Sequence, residues 1–131
     1  MILVDTSVLI AFFKGENSEA SRKLTHLLQQ NIPVGICSVV FQEILQGAAS
    51  EKEYHLLLKY LESQHFYHPM DPVGSYSSAA KIYLDCRKRG ITIRSTIDCL
   101  IAQIALEHNL LLLHDDKDFE AIAKVVPLRF Y

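Results

Sequence analysis

Met1-Ile2-Leu3-Val4-Asp5-Thr6-Ser7 opens the chain: a short apolar run that ends abruptly on a carboxylate and two hydroxyls. A run this short, with no apolar–polar alternation, reads as a strand covered on both faces. Leu110-Leu111-Leu112-Leu113 repeats the pattern near the other end and stops on His114 and the acidic run Asp115-Asp116-Lys117-Asp118. Strands buried on both faces belong to parallel sheets flanked by helices. In such sheets ligands collect beyond the carboxyl ends of the strands. Both acidic groups stand at such an end.

The stretch between them alternates helix and strand. Residues 8–13 read as a short helix closed by Gly15, and 19–30 as a second, stopped before Pro33. Residues 34–37 read as a strand, and 39–48 as a helix with Ser38 as its N-cap and Gly47 near its end. Helical spacing continues over 52–64 through Leu57, Leu58 and Leu61, and 66–69 read as extended. Residues 72–89 form a long helix, with Pro72 in its first turn and Gly90 just past its end. A helix over 96–108, a strand over 110–113, a short helix over 119–124 and a last strand over 127–131 complete the pattern. It predicts an α/β fold with a mainly parallel sheet, and the length of 131 residues fits one domain, 1–131.

Half of the residues are hydrophobic. No stretch approaches the roughly 18–20 apolar residues of a membrane helix. The apolar start carries Asp5 in its middle and lacks a basic lead, so it is no signal peptide and cytoplasmic residence is expected. Cys37, Cys86 and Cys99 are odd in number and widely spaced, which indicates neither a disulfide framework nor a zinc site but buried, reduced thiols. The formal net charge of −2 does not advertise a nucleic-acid binder. The densest basic stretch, Arg87-Lys88-Arg89 with Arg94, has two compatible readings: a solvated helix end before Gly90, or a contact for a polyanion.

The remaining acids fall where carboxylates need a reason. Glu43 shares a helical face with Val40, Ile44 and Gly47, on or beside the core-facing side. Asp98 lies in the first turn of its helix, ahead of Cys99-Leu100-Ile101-Ala102. Each acid has an ordinary reading: a turn residue for Asp5, a helix cap for Asp116, a dipole-favoured acid for Asp98. Their repeated placement at strand ends and on one buried face is left unexplained that way. Carboxylates gathered in one pocket raise each other's pKa, and a divalent cation relieves the repulsion. Oxygen-only ligands favour Mg²⁺ or Mn²⁺ over zinc, and such ions suit the hydrolysis of a phosphodiester.

At these residues the sequence resembles a PIN-domain ribonuclease, and specifically a VapC-type toxin of a toxin–antitoxin pair. The opening through Asp5-Thr6-Ser7-Val8-Leu9-Ile10 is similar to the first family motif, and Val39-Val40-Phe41-Gln42-Glu43-Ile44 to the second. Thr96-Ile97-Asp98-Cys99-Leu100-Ile101-Ala102 is similar to the third, and Leu112-Leu113-His114-Asp115-Asp116-Lys117-Asp118-Phe119 to the fourth. Order and spacing match over nearly the whole chain. The resemblance implies a three-layer α/β/α fold around a short parallel sheet. It implies Asp5, Glu43 and Asp98 as metal-binding acids, with Asp116 as the fourth. Asp118 and Asp115 become supporting or capping groups, and Thr6 or Ser7 a hydroxyl near the metal; His114, a lone histidine beside a strand, reads as structural on its own account. It further implies Mg²⁺ or Mn²⁺ dependence, an RNA substrate, inhibition of translation, homodimerisation and a cognate antitoxin; the basic stretch Arg87, Lys88, Arg89 and Arg94 is the candidate RNA contact by its charge.

Two other readings compete. A haloacid-dehalogenase-like phosphatase also begins with an apolar strand ending in Asp, but wants a second acid where this chain has Ser7. A non-cleaving PIN-like module that binds RNA or protein is the other, and the intact acidic set argues against it. Residues 39–64 carry apolar side chains on more than one helical face, among them Val40, Phe41, Ile44, Leu45, Leu56, Leu57, Leu58, Tyr60 and Leu61. One sheet covers one face of a helix hairpin, so the excess predicts a groove that receives an amphipathic antitoxin helix.

Overall fold

In a computed structural model that describes residues 1–131, the two opening signals become neighbours. The first strand, β1 (Ile2–Val4), lies at the centre of a five-stranded sheet, between β2 (Val34–Cys37) and β4 (Leu111–Leu113). The edges are β3 (His65–Tyr67) beside β2 and β5 (Arg129–Phe130) beside β4. All four pairings are parallel. Ile2, Leu3 and Val4 are buried, as are Leu112 and Leu113, because helices cover both faces. The register sets Val4 opposite Leu113, and the backbone N–H of Asp5 donates to the Leu113 carbonyl at 3.0 Å. Two carboxylate-bearing strand ends are thereby brought together.

The helices are α1 (Thr6–Phe13), α2 (Glu19–Gln29), α3 (Ser38–Gln46), α4 (Glu51–Leu61), α5 (Gly74–Lys88), α6 (Thr96–Glu107) and α7 (Lys117–Ile122). They form the outer layers of an α/β/α sandwich around one cluster of 31 buried residues running from Ile2 to Leu128. Gly90 closes α5 with φ +74, a left-handed conformation that glycine adopts at little cost. At Gly35 in β2, a Cβ would stand 2.5 Å from Cε2 of Tyr67, so only glycine lets that ring cross the neighbouring strand. No helix is long and apolar enough to cross a membrane. Cys37, Cys86 and Cys99 are free and buried, and burial pushes the Cys37 thiol up to about 11 and Cys99 up to about 12.

Several boundaries differ from the sequence reading, each for a local reason. Helix α1 starts at Thr6 rather than residue 8, because Asp5 caps it by accepting from the Ser7 N–H. Helix α7 starts at Lys117 rather than 119, since Asp116 caps it by accepting from the Asp118 N–H. Ser38 is not the cap of α3 but its first residue, and Cys37, extended at the end of β2, precedes it with no side-chain cap. Pro72 lies ahead of α5, where the Asp71 carboxylate accepts from the Val73 N–H and holds the approach as a turn.

Candidate metal centre

Four elements deliver acids to the carboxyl end of the sheet. Asp5 leaves β1 buried, and its Oδ2 accepts from both the N–H (3.0 Å) and the hydroxyl (2.6 Å) of Ser7. The same Ser7 oxygen accepts from the Asp115 N–H at 3.0 Å, pinning the loop after β4 to the start of α1. Glu43 projects from α3, half-buried, and Oε1 accepts from the Thr6 hydroxyl at 3.0 Å. Thr6 and Ser7 therefore each position one acid.

Asp98, in the first turn of α6, is only 8 % exposed, and its Oδ2 is fully enclosed with no hydrogen-bond partner. Asp98, Asp116 and Asp118 each offer a carboxylate oxygen within 4.8 Å of the others. Asp116 Oδ1 accepts from the Asp118 N–H at 2.9 Å and lies 3.4 Å from an Arg94 guanidinium nitrogen. Asp118 is buried, and its Oδ2 accepts from the backbone N–H of Arg94 at 3.1 Å.

The electrostatics follow from this crowding. Burial, then the charges of Asp116, Asp5, Asp118 and Glu43, pushes the Asp98 carboxyl up to about 7. Burial raises Asp5 and Glu43 as well, partly offset by the hydroxyls that bond their charged forms. None of the ion pairs in the structure reaches Asp5, Glu43 or Asp98. An enclosed carboxylate oxygen without a partner, amid converging acids, fits a hard divalent cation, and the all-oxygen donor set fits Mg²⁺ or Mn²⁺.

His114 stands beside this cluster. Its ring packs 5.2 Å from Phe119 and 4.4 Å from Phe130, centroid to centroid. Its Nδ1 accepts from the Asp116 N–H at 3.1 Å, which leaves the ring proton on Nε2. Burial lowers its pKa, so the ring is neutral near pH 7.

The geometry thus differs from the sequence reading in its details. Asp118, read as a supporting group, joins Asp98 and Asp116 in the tightest cluster, while Asp5 and Glu43 lie outside that triad. Asp115 contributes its backbone N–H to the Ser7 contact. Arg94 parts company with Arg87, Lys88 and Arg89: it bridges Asp116 and Asp118, whereas those three lie exposed around the end of α5, with Arg89 donating to the Lys124 carbonyl at 2.9 Å. The link from Arg94 to acids more than twenty residues away had no local signal.

The fold and the sequence also place the chain among known proteins. The PIN domain family model matches residues 2–125. Ribonuclease VapC11 of Mycobacterium tuberculosis (strain ATCC 25618 / H37Rv) is 32% identical over 130 residues, covering 98% of this chain and 96% of that protein. The VapC ribonuclease Mb1587 of Mycobacterium bovis is similar to the same extent, 32% over 130 residues. Among solved structures, VapBC2 from Rickettsia felis, bound to a DNA fragment from its promoter, aligns with a TM-score of 0.74 at 19% identity, covering 100% of this chain and 98% of that one. FitAcB from Neisseria gonorrhoeae aligns with a TM-score of 0.73 at 21% identity, covering 100% and 96%. The chain belongs to the PIN domain family, as a relative of its VapC-type members.

Proposed function

We propose that the chain is a divalent-metal-dependent endoribonuclease, hydrolysing RNA phosphodiesters as the toxin of a toxin–antitoxin pair and so inhibiting translation. The observation that carries the chemistry is the enclosed, unpartnered Oδ2 of Asp98 among converging carboxylates. The likeness to proteins named VapC ribonuclease over 98% of the chain supports RNA as the substrate.

Asp98, Asp116 and Asp118, whose carboxylate oxygens converge, would hold Mg²⁺ or Mn²⁺ together with Asp5 and Glu43, whose charges act on Asp98. Such a cation supplies charge neutralisation for the phosphoryl group and a more acidic water for the attack. The chain's own residues prepare the place. Ser7 and Thr6 fix the orientation of Asp5 and Glu43. Arg94 offsets part of the negative charge on Asp116 and Asp118. Arg87, Lys88 and Arg89 offer exposed cations for the RNA backbone.

The partner proteins follow the same reading. Ile10 and Phe13 of α1 and Leu56 and Tyr60 of α4 are exposed, and the Phe13 and Tyr60 rings meet edge to face at 5.6 Å. We assign this surface, which borders Glu43 through a cleft shared with Phe13 and Leu57, to the helix of a cognate antitoxin. Of the apolar residues in 39–64, Val40, Leu45 and Leu61 belong to the core and leave the groove, while Ile44, though buried, still lines the cleft. A homodimer would use the apolar cleft between α5 and α6, lined by Tyr76, Tyr83, Ile97 and Leu100.

The test is cleavage of total RNA by the purified chain with Mg²⁺ or Mn²⁺, with and without EDTA, beside Asp98→Asn. Cleavage that needs metal and is lost in the variant supports the reading. Undiminished cleavage in excess EDTA overturns it, and metal binding without cleavage favours the non-cleaving module.

A further inference from the structure

Beside the acidic cluster, sharing only Asp116 with it, opens a cleft of about 480 Å³ whose other walls the proposed chemistry leaves unused. Its walls combine three aromatic rings with hydrogen-bonding groups. His114 and Phe130 are held ring against ring at 4.4 Å, and Tyr131 continues the line from the end of β5. Tyr131 is fixed in the fold: its N–H donates to the Leu112 carbonyl at 3.1 Å, and its carbonyl accepts from Lys23 Nζ at 3.1 Å. Phe130 and Tyr131 nevertheless keep 36% and 37% of their surface exposed. Rings that a fold anchors by their backbone yet leaves open beside a hydrolytic site are positioned to receive a flat partner.

The polar rim narrows the choice of partner. The carboxylates of Asp115 and Glu120 line this cleft and accept no hydrogen bond from the protein, and neither takes part in an ion pair. Lys23 and Lys117 also line the cleft, Lys23 paired with Glu19 and 6.0 Å from the centre of the Tyr131 ring; the acceptors left without a partner are these two carboxylates, which would accept hydrogen bonds from an uncharged base. Single-stranded RNA is read by such means, with bases stacked on Tyr, Phe or His and bonded along their edges.

We propose that this cleft is a nucleobase subsite: a base flanking the scissile phosphodiester stacks on Tyr131 and Phe130 and donates its exocyclic amine to Glu120 or Asp115. The subsite favours the bases that carry an exocyclic amine, adenine, cytosine and guanine, over uracil, whose edge sets a single N3–H between two carbonyl oxygens that face the same carboxylates. It rests on RNA being the substrate, and it adds a determinant of which RNA is chosen.

Binding and cleavage are measured separately. Fluorescein-labelled tetranucleotides rA4, rC4 and rU4 are titrated in EDTA against the wild type and against Tyr131→Ala, Tyr131→Phe and Glu120→Gln, with fluorescence anisotropy as the readout and circular dichroism as the check on folding. Stacking of one base contributes on the order of 1–3 kcal/mol, so Tyr131→Ala should weaken rA4 and rC4 at least fivefold, with Tyr131→Phe close to wild type. Glu120→Gln should reduce the preference for rA4 and rC4 over rU4. A folded Tyr131→Ala that binds all three as the wild type does overturns the subsite, and an unchanged preference in Glu120→Gln overturns its assignment to amine-bearing bases. The nuclease reading fails separately, through a wild type that binds these oligonucleotides and cleaves no RNA with metal present.

Discussion

Arg94 is tied twice to Asp118: its backbone N–H donates to Oδ2 at 3.1 Å, and its Nε lies 3.5 Å from the same oxygen. The backbone bond fixes the carboxylate in place, while the side chain, 75% exposed, lends a positive charge that is free to leave. A built-in cation thus faces two of the three acids that converge most closely.

Removing that cation should tighten metal binding. Arg94→Ala keeps the backbone bond but frees Asp116 and Asp118 from competition, so Mg²⁺ affinity measured by calorimetry should rise several-fold. The exposed pair contributes at most about 1 kcal/mol to the metal-free protein. That loss should shrink when Mg²⁺ is added. Weaker Mg²⁺ binding in the variant would mean instead that the guanidinium orients the carboxylates.

The raised Asp98 carboxyl fixes the sign of a pH effect. Its folded value, about 7, exceeds the ordinary carboxylate value of 3.8, so folding favours its protonated form. That contribution is complete below about pH 4 and is lost as pH climbs through 7. The metal-free wild type should therefore lose melting temperature relative to Asp98→Asn between pH 4 and 7, by roughly 2–8 °C for each kcal/mol. Asp5 and Glu43, raised in the same direction, are present in both proteins, so the difference reports Asp98 together with its coupling to their charges. A variant less stable than wild type at pH 7 by several kcal/mol would recast Asp98 as a structural hydrogen-bond partner.

Metal should reverse that penalty. At a hundred times its dissociation constant, Mg²⁺ would stabilise the wild type by about 2.7 kcal/mol. Asp98→Asn and Asp116→Asn should lose most of this gain in a thermal melt. A gain of equal size in both variants would place the ion elsewhere.

Ser7 joins two segments through one oxygen, donating to Asp5 and accepting from the Asp115 N–H. Ser7→Ala should destabilise the fold by about 2–3 kcal/mol, since one of the lost bonds goes to a charged group. Thr6→Val, which removes only the bond to Glu43, should cost about 1 kcal/mol. Both should slow cleavage more than they lower stability at 25 °C. Denaturant melts run beside initial cleavage rates check this, and normal rates in either variant would limit that hydroxyl to a structural part.

The surface proposed for an antitoxin is tested where side chains are most exposed. Leu56 is 62% exposed, so Leu56→Glu should leave stability within about 0.5 kcal/mol. It should weaken capture of the proposed antitoxin, sought by co-expression of a small gene adjacent to this one, at least tenfold. Unchanged co-purification in Leu56→Glu and Tyr60→Glu would remove the groove from consideration.

The sequence by itself determined the strands, the helices and the acids at their ends. Ile2–Val4 and Leu111–Leu113 were legible because burial on both faces leaves an unbroken apolar run, a property of a few adjacent residues. Glu43 and Asp98 were placed correctly on α3 and α6 because helical period is local too. Only tertiary structure made β1 and β4 neighbours, and with them the nearness of Asp5 to the loop after Leu113, since strand pairing is settled between segments more than a hundred residues apart. It also drew Asp118 into the acidic cluster and turned Arg94 from the basic stretch toward Asp116. Side-chain partners are chosen by which surfaces meet when the core closes, and no window of sequence contains both surfaces.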